Sequence, residues 1–242
     1  MKKWLVLFII VLLAAFLRFY QLGTLAPSLT WDEVAWGYNA YSLGIDGKDE
    51  FGRFLPYDYL ESFGDFKPPI YAYLDILPVK IWGLNEFAVR FPSALFGTLT
   101  VLITYFLVRA IFIKFGTKQS AYIDYLALVA TFILAVSPWH IMLSRAAFEA
   151  NVATFLLVTG VWLFLEGVKR RPWCIILSAV SFVLSIYTFN TSRIVAPFLI
   201  LTLAVAYHKY LFKIKKTVVI AGIVGLILSL PVIPFLFSPQ AA

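Results

Sequence analysis

Asp32 and Glu33, in Thr30-Trp31-Asp32-Glu33, are the first residues of this 242-residue chain whose types and spacing could do acid–base chemistry. A carboxylate exchanges a proton with a hydroxyl, and a nearby cation holds an anionic oxygen. The other residues of these types at helix ends are Lys67, just before Pro68-Pro69; Arg145 and Glu149, in Ser144-Arg145-Ala146-Ala147-Phe148-Glu149-Ala150-Asn151; and Arg193, in Tyr187-Thr188-Phe189-Asn190-Thr191-Ser192-Arg193. Each competes with a structural explanation. Thr30-x-x-Glu33 matches the capping box, and Asp32 in the first turn favours the helix dipole. Arginines at helix ends snorkel to lipid phosphate. Glu149 resists such an explanation, because a carboxylate at the mouth of an apolar helix is costly unless paired, hydrated or used. Consecutive helical residues point about 100° apart, so Asp32 and Glu33 cannot share one task without a bend. His140, after Pro138-Trp139, reads as a structural hydrogen-bonder, His208 has no visible partner, and the single Cys174 lies inert in an apolar run.

The elements that must position these residues are membrane-spanning helices. Hydrophobic residues make up 62% of the chain, charged residues 14%, and mean hydropathy is +0.87, far from the polar surface a soluble domain needs. Seven apolar segments are predicted as spans: roughly 4–20, 88–108, 122–139, 151–167, 173–190, 194–210 and 217–237. The first follows Met1-Lys2-Lys3 and runs into Arg18-Phe19-Tyr20 without a small-x-small cleavage site, so it reads as an uncleaved span. The fold class expected is an all-α integral membrane protein of about seven spans, with a large outer-face first loop carrying short interfacial helices.

Charge segregation sets the orientation. With Pro68 to Trp82 lying on the outer surface, the inner loops hold Lys2, Lys3, Arg109, Lys114, Lys118, Lys169, Arg170, Arg171, Lys209, Lys213, Lys215 and Lys216, twelve of the 20 basic residues, with only Asp124 and Glu166 near them. Making 68–82 a span would put three of these four basic clusters outside, against the positive-inside rule. The formal charge of +7 therefore reflects membrane sidedness, and nucleic acid is not an expected partner. Ile70, Tyr73, Leu74, Leu77 and Ile81 recur at helical spacing while Asp75 and Lys80 interrupt a lipid-facing cylinder, as in an interfacial helix that Pro68-Pro69 starts and Pro78 kinks. Within the outer loop, 21–87, Trp31 to Leu43 reads as a short helix stopped by Gly44, and Gly47, Gly52, Pro56 and Gly64 mark turns. No zinc-site spacing, P-loop or GxGxxG turn is present.

The ordered series Trp31-Asp32-Glu33, Gly47-Lys48-Asp49-Glu50-Phe51-Gly52, Leu55-Pro56, Lys67-Pro68-Pro69, Phe87-Ala88-Val89-Arg90-Phe91-Pro92-Ser93 and Ser137-Pro138-Trp139-His140 running into Ser144-Arg145 resembles the N-terminal half of a bacterial GT-C glycosyltransferase. The branch is the protein mannosyltransferase and aminoarabinose transferase type, RgtA/B/C/D-like. The resemblance covers essentially the whole chain, read as one transmembrane domain forming the N-terminal part of a longer enzyme. It implies a sugar on a polyprenyl phosphate, transferred at the outer face of the cell membrane to a hydroxyl of a protein, glycolipid or polysaccharide. By that resemblance Asp32 is the catalytic acid of the first loop, acting as general base, with Glu33 its neighbour and Glu149 the acid of the second outer loop. Lys67 matches the Lys-Pro motif associated with the lipid phosphate, and Arg145 and Arg193 would help stabilise it on leaving. In aminoarabinose transferases an acid before that lysine helps hold a metal. Phe66 stands there in this chain, so no cofactor is assigned and a divalent metal stays an open alternative. A reading from another class is a non-catalytic membrane protein: a truncated paralogue, an assembly partner or a transporter-like bundle. The near absence of charge at mid-span weighs against a through-pathway.

Overall fold

The structure is a computed structural model, and it describes residues 2–25, 28–113 and 121–238. Lys114 and Lys118 of the second basic cluster lie outside the described residues. The chain is almost entirely helical. α1 (Lys2–Phe19) is followed by α2 (Trp31–Asp46), a two-stranded antiparallel hairpin of β1 (Leu60–Ser62) and β2 (Asp65–Lys67), and α3 (Ile70–Trp82). The bundle continues through α4 (Glu86–Phe112), α5 (Ala121–Val136), α6 (Pro138–Arg145), α7 (Glu149–Lys169), α8 (Cys174–Ile186) and α9 (Ser192–Ala206). It closes with α10 (His208–Leu211), α11 (Lys215–Ser229) and α12 (Ile233–Leu236), joined by single 3₁₀ turns.

α1, α4, α5 with α6, α7, α8, α9 and α10–α12 pass back and forth between two ends of the bundle. At one end Asp124 at the start of α5 meets Lys3 (2.9 Å) and Arg109 (2.9 Å), while Lys169 at the end of α7 donates to the Ala110 and Ile113 carbonyls at the end of α4. At the other end Arg145 meets the last carbonyls of α1, and Tyr187 just after α8 donates to Leu228 O in α11 (2.7 Å). The polar residues nominated from the sequence are all at this second end or next to it. Asn151, in the first turn of α7, donates to Ser93 O (2.7 Å). Gly97 lets α4 approach the α6 side chain of Ser144 more closely than any Cβ would permit.

Among the described residues three helices are long and apolar enough to cross a membrane, Glu86–Phe112, Glu149–Lys169 and His208–Phe235, and the bent pair α5–α6 raises the count to four. The predicted seven is not reached by length and composition. α1 carries three basic residues in its 18, and α8 and α9 have only 13 and 15 residues, roughly 20 Å of helix against a hydrocarbon core of about 30 Å. The predicted inner loop around Lys209, Lys213, Lys215 and Lys216 is helical, so the last pass begins at His208 rather than 217.

Proline breaks the predicted span 122–139. It lacks the N–H that would continue the helix, and α5 and α6 meet at 56° around Ser137-Pro138. Arg18, fully buried, braces the break, donating to Ala135 O (3.2 Å) and Leu134 O (3.4 Å) as well as to His140 Nδ1 (2.7 Å). His140 is thus a structural acceptor, as its position suggested.

Two further expectations change in the first loop. α2 runs on through Gly44 to Asp46 and ends at Gly47, whose φ of 76° gives the left-handed cap that glycine adopts without strain. The stretch before Lys67, predicted only as turns, forms the β-hairpin. α3 begins after Pro69 and keeps Pro78 within it. α3 packs against α2 and α4, burying Tyr71, Ala72, Asp75 and Val79.

Asp75 is fully buried and neither carboxylate oxygen has a hydrogen-bond partner. Burial pushes its carboxyl up to about 9, so it is neutral at physiological pH. A carboxyl with a raised folded-state value binds its proton more tightly when folded. Its contribution to stability is therefore full below the unfolded value and declines as pH rises toward 9. Asp75→Asn should flatten the fall in thermal midpoint between pH 5 and pH 8 in detergent, and Asp75→Leu should stabilise by about 1–3 kcal/mol by removing unsatisfied polar atoms. Unchanged pH dependence in Asp75→Asn would contradict this account.

Candidate functional site

α2 starts with the capping box predicted for it. Thr30 Oγ1 accepts from Glu33 N (3.3 Å), and Glu33 Oε2 accepts from Thr30 N (2.9 Å). Glu33 does more than cap. Its Oε1 also accepts from Arg90 Nε (2.8 Å) and from the Ala147 amide (3.1 Å), and its Oε2 from Arg90 Nη2 (3.3 Å). Arg90 is 1% and Glu33 2% exposed. Arg90 also donates to Leu22 O (3.2 Å) and Ser28 O (3.0 Å). One buried ion pair thus ties together the end of the α1–α2 connection, the start of α2, the first turns of α4 and the α6–α7 turn. Burial opposes ionisation of Glu33, but the Arg90 hydrogen bond, the Thr30 and Ala147 amides and the Arg90 charge together outweigh it and hold the carboxyl below its ordinary value.

Asp32, one residue earlier, faces a different way. Its Oδ1 pairs with Lys67 Nζ, and the two side chains differ sharply in exposure, 52% for Asp32 against 8% for Lys67. The hairpin delivers Lys67: Leu60 pairs with Lys67 and Ser62 with Asp65 across it. The Lys67 ammonium sits 5.5 Å from the Trp36 ring centroid and 3.9 Å from Asp65 Oδ2. Trp36 lies one turn along α2 from Asp32, which places its ring beneath the ion pair. Glu149, at the first position of α7, interacts electrostatically with Asp32, Lys67 and the Trp36 indole N–H, although that N–H makes no hydrogen bond of good geometry. Asp32, Lys67 and Glu149 are therefore one cluster, although they come from residues far apart in sequence.

The two arginines differ. Arg145 Nη1 donates to Leu17 O (3.1 Å), Arg18 O (3.4 Å) and Tyr20 O (2.8 Å), and Nη2 to Gln21 O (3.3 Å). A cation on unsatisfied carbonyls at a helix C-terminus is a stabilising cap, so the structure ties this guanidinium to α1 rather than to the Asp32 cluster. With Glu33 and Arg90 it lines a cleft of about 350 Å³ that also touches Leu22, Ser28 and Thr30. Arg193 lies 4.7 Å from the Phe235 ring centroid, with Nε and Nη2 buried and without hydrogen-bond partners. Phe235 packs against the Tyr59 ring, and Tyr59 meets Phe66, the residue before Lys67, edge to face. Arg193 thus approaches the hairpin from the side opposite α2.

The turn between α8 and α9 touches the same segment. Pro68 and Pro69 have no amide hydrogen, and the first backbone donor after Lys67, Ile70 N, bonds to Tyr187 O (3.2 Å). Among the described residues no group of three His, Cys, Asp or Glu side chains could hold a metal ion. Sequence reasoning missed the parts played by Trp36 and Arg90. Arg90 carried a signal, a lone arginine inside the apolar run Phe87–Ser93, and Trp36 lay one helical turn from Asp32.

This arrangement, an acidic and basic cluster at one end of a bundle of apolar helices, defines a helical membrane protein with a polar site at the rim. Residues 66–235 match the family model described as dolichyl-phosphate-mannose-protein mannosyltransferase. The chain belongs to that family, within the GT-C glycosyltransferase superfamily. Among curated relatives it is 31% identical over 173 residues to an uncharacterized protein of Aquifex aeolicus (strain VF5), covering 71% of this chain and 31% of the relative. It is 26% identical over 194 residues to the putative mannosyltransferase YkcB of Bacillus subtilis (strain 168), covering 79% of this chain and 24% of the relative. The chain thus spans about a quarter to a third of the curated relatives it matches. In fold it is similar to ArnT from Cupriavidus metallidurans in the apo state, with a TM-score of 0.70 at 14% identity over 97% of this chain and 42% of that one. It is also similar to the Archaeoglobus fulgidus oligosaccharyltransferase, with a TM-score of 0.67 at 18% identity over 95% of this chain and 29% of that one.

Removing the Glu33 charge leaves Arg90 buried without its anion. Glu33→Gln should lower stability by roughly 3–5 kcal/mol, read as the unfolding midpoint in a mild detergent. Because the folded-state value of Glu33 is depressed, its contribution is complete above the unfolded value near 4.5 and lost as pH falls through the lower folded one. The parent should lose thermal stability below about pH 4, and the variant should lose less over that interval.

Proposed function

We propose that this chain forms the donor-handling part of a membrane glycosyltransferase that moves a sugar from a polyprenyl phosphate to an acceptor hydroxyl at the outer face of the cell membrane. The observation that carries the reading is the Asp32–Lys67 ion pair, with Glu149 beside it, at the rim of the bundle. In support, one form of the similar ArnT structure is bound to undecaprenyl phosphate, and one form of the similar oligosaccharyltransferase structure is tethered to an acceptor peptide.

In this reading Lys67 changes partners. At rest its ammonium holds Asp32. The donor phosphodiester, itself an anion, takes the ammonium and frees the carboxylate. Asp32 then accepts the proton of the acceptor hydroxyl as that oxygen attacks the anomeric carbon, and the bond from that carbon to the phosphate oxygen breaks. Lys67 stabilises the charge that gathers on the departing phosphate, and the free nitrogens of Arg193 add to it from the far side of the hairpin. Direct displacement inverts the anomeric centre. Glu33 holds α2 in place, Glu149 borders the pair from the start of α7, and Arg145 supports the site through α1.

The test is sugar release from a panel of short-chain polyprenyl-phosphate sugars by the purified protein in lipid. Asp32→Asn should lower release by about 10²–10⁴-fold while leaving donor binding measurable. Lys67→Met should weaken donor binding itself. Donor binding without release in the parent would assign this chain the donor site alone; neither binding nor release would favour a non-catalytic assembly partner.

A further inference from the structure

Trp31 and Phe63 stand beside the ion pair, and neither has a place in the mechanism above. Trp31 opens α2 next to Asp32. Phe63 is at the tip of the hairpin that carries Lys67. Their rings lie 5.7 Å apart at an interplanar angle of 42°, and they are among the more exposed large apolar side chains, at 77% and 64%. The hairpin is short. Ser62 pairs with Asp65, leaving Phe63 and Gly64 as its two turn residues. Both have positive φ, 54° and 77°, the pattern of a type I′ turn. Its first position favours Asn, Asp or Gly, because a Cβ crowds the backbone there. An aromatic residue in the left-handed region is a genuine outlier, and strain of this kind concentrates at functional sites. The hairpin therefore holds Phe63 against a local preference, and the result is an open aromatic pair facing away from the core.

We propose that Trp31 and Phe63 form a platform on which a sugar ring stacks during the transfer. This rests on the glycosyltransferase reading and names the groups that would recognise the saccharide. A pyranose face presents C–H bonds polarised by neighbouring oxygens, and these are attracted to the negative face of an aromatic ring. Its edges present hydroxyls, and the platform is flanked by their acceptors: Asp32, half-exposed, on the Trp31 side and Asp65, 66% exposed, two residues beyond Phe63. An apolar surface bordered by carboxylates suits a sugar better than a lipid chain, which would leave those charges facing hydrocarbon. The sugar is either the one carried on the donor or one belonging to the acceptor. Stacking would set its orientation and leave Lys67 free for the phosphate.

Two substitutions separate this role from a structural one. Phe63→Asn places in the turn the residue it prefers, so the fold should be at least as stable as the parent, by thermal midpoint. Trp31→Ala removes the other ring while keeping Asp32 and the Thr30–Glu33 cap. Binding is measured by saturation-transfer NMR with a hexose on a short prenyl phosphate, with the prenyl phosphate lacking sugar, and with free methyl hexosides. Both variants should lose at least ten-fold in affinity for the sugar-bearing donor, or show a comparable rise in acceptor KM, with no change for bare prenyl phosphate. A loss confined to donor binding assigns the donor's sugar, and one confined to acceptor KM the acceptor's. Equal affinities and KM values in parent and both variants overturn the proposal, and they do so without touching the Asp32→Asn result on which the glycosyltransferase reading depends. Weakened association with anionic liposomes, at unchanged sugar affinity, also overturns it and makes the pair a membrane anchor.

Discussion

The buried pair of Glu33 and Arg90 is the constraint on which the rest of this end of the molecule depends. A charge withdrawn from water is tolerated only when its partners are complete, and here they are. Glu33 receives the Arg90 guanidinium and two backbone amides, while Arg90 also reaches two backbone carbonyls. The pair leaves little freedom in how α2 meets α4 and the α6–α7 turn. Glu149 begins α7 two residues after Ala147, so the same pair that anchors α2 also fixes the distance between Asp32 and Glu149. Hydrophobic packing of Trp36, Tyr71, Val89 and Val152 fills the space between these elements, but packing has no direction, and a hydrogen-bonded ion pair does.

Neighbouring acids thus divide the work by environment. Asp32 and Glu33 are consecutive and chemically alike, but helical geometry turns one toward the hairpin and the other into the core. The first keeps half its surface in solvent and pairs with Lys67. The second has no lone pair left to offer a ligand without breaking the fold. Arg145 and Arg193 divide in the same manner, one spent on the carbonyls of α1 and the other holding two nitrogens in reserve.

Much of this was legible in the sequence because it was written in local patterns. The apolar segments, the capping box at Thr30 and Glu33, the helix after Pro68-Pro69 and the clustering of polar residues at helix ends follow from spacing alone. What did not follow depends on contacts between distant segments. The count of seven spans is not confirmed by helix length, because α8 and α9 end early where polar turns at Tyr187–Thr191 and Tyr207 intervene. Gly44 looked like a stop because glycine is the usual one. Its neighbours Ile76 and Lys80 on α3 pack where a side chain would be, so the residue serves helix contact, and Gly47 ends the helix. The hairpin was hidden because Phe63 occupies a turn position that aromatic residues avoid. Asp32 and Lys67 were each nominated from the sequence. That they meet depends on pairing Leu60 with Lys67, which no periodicity announces.

The two prolines after Lys67 have a wider effect. With no amide hydrogens at 68 and 69, the first backbone donor after the hairpin that carries the lysine is Ile70, and it bonds to Tyr187. Tyr187 is in turn held to Leu228 near the end of the chain's last long pass. The position of one ammonium group is thereby geared to helices more than a hundred residues downstream. Divergence in the α8–α9 turn can therefore shift the reach of Lys67 while every residue around it stays the same.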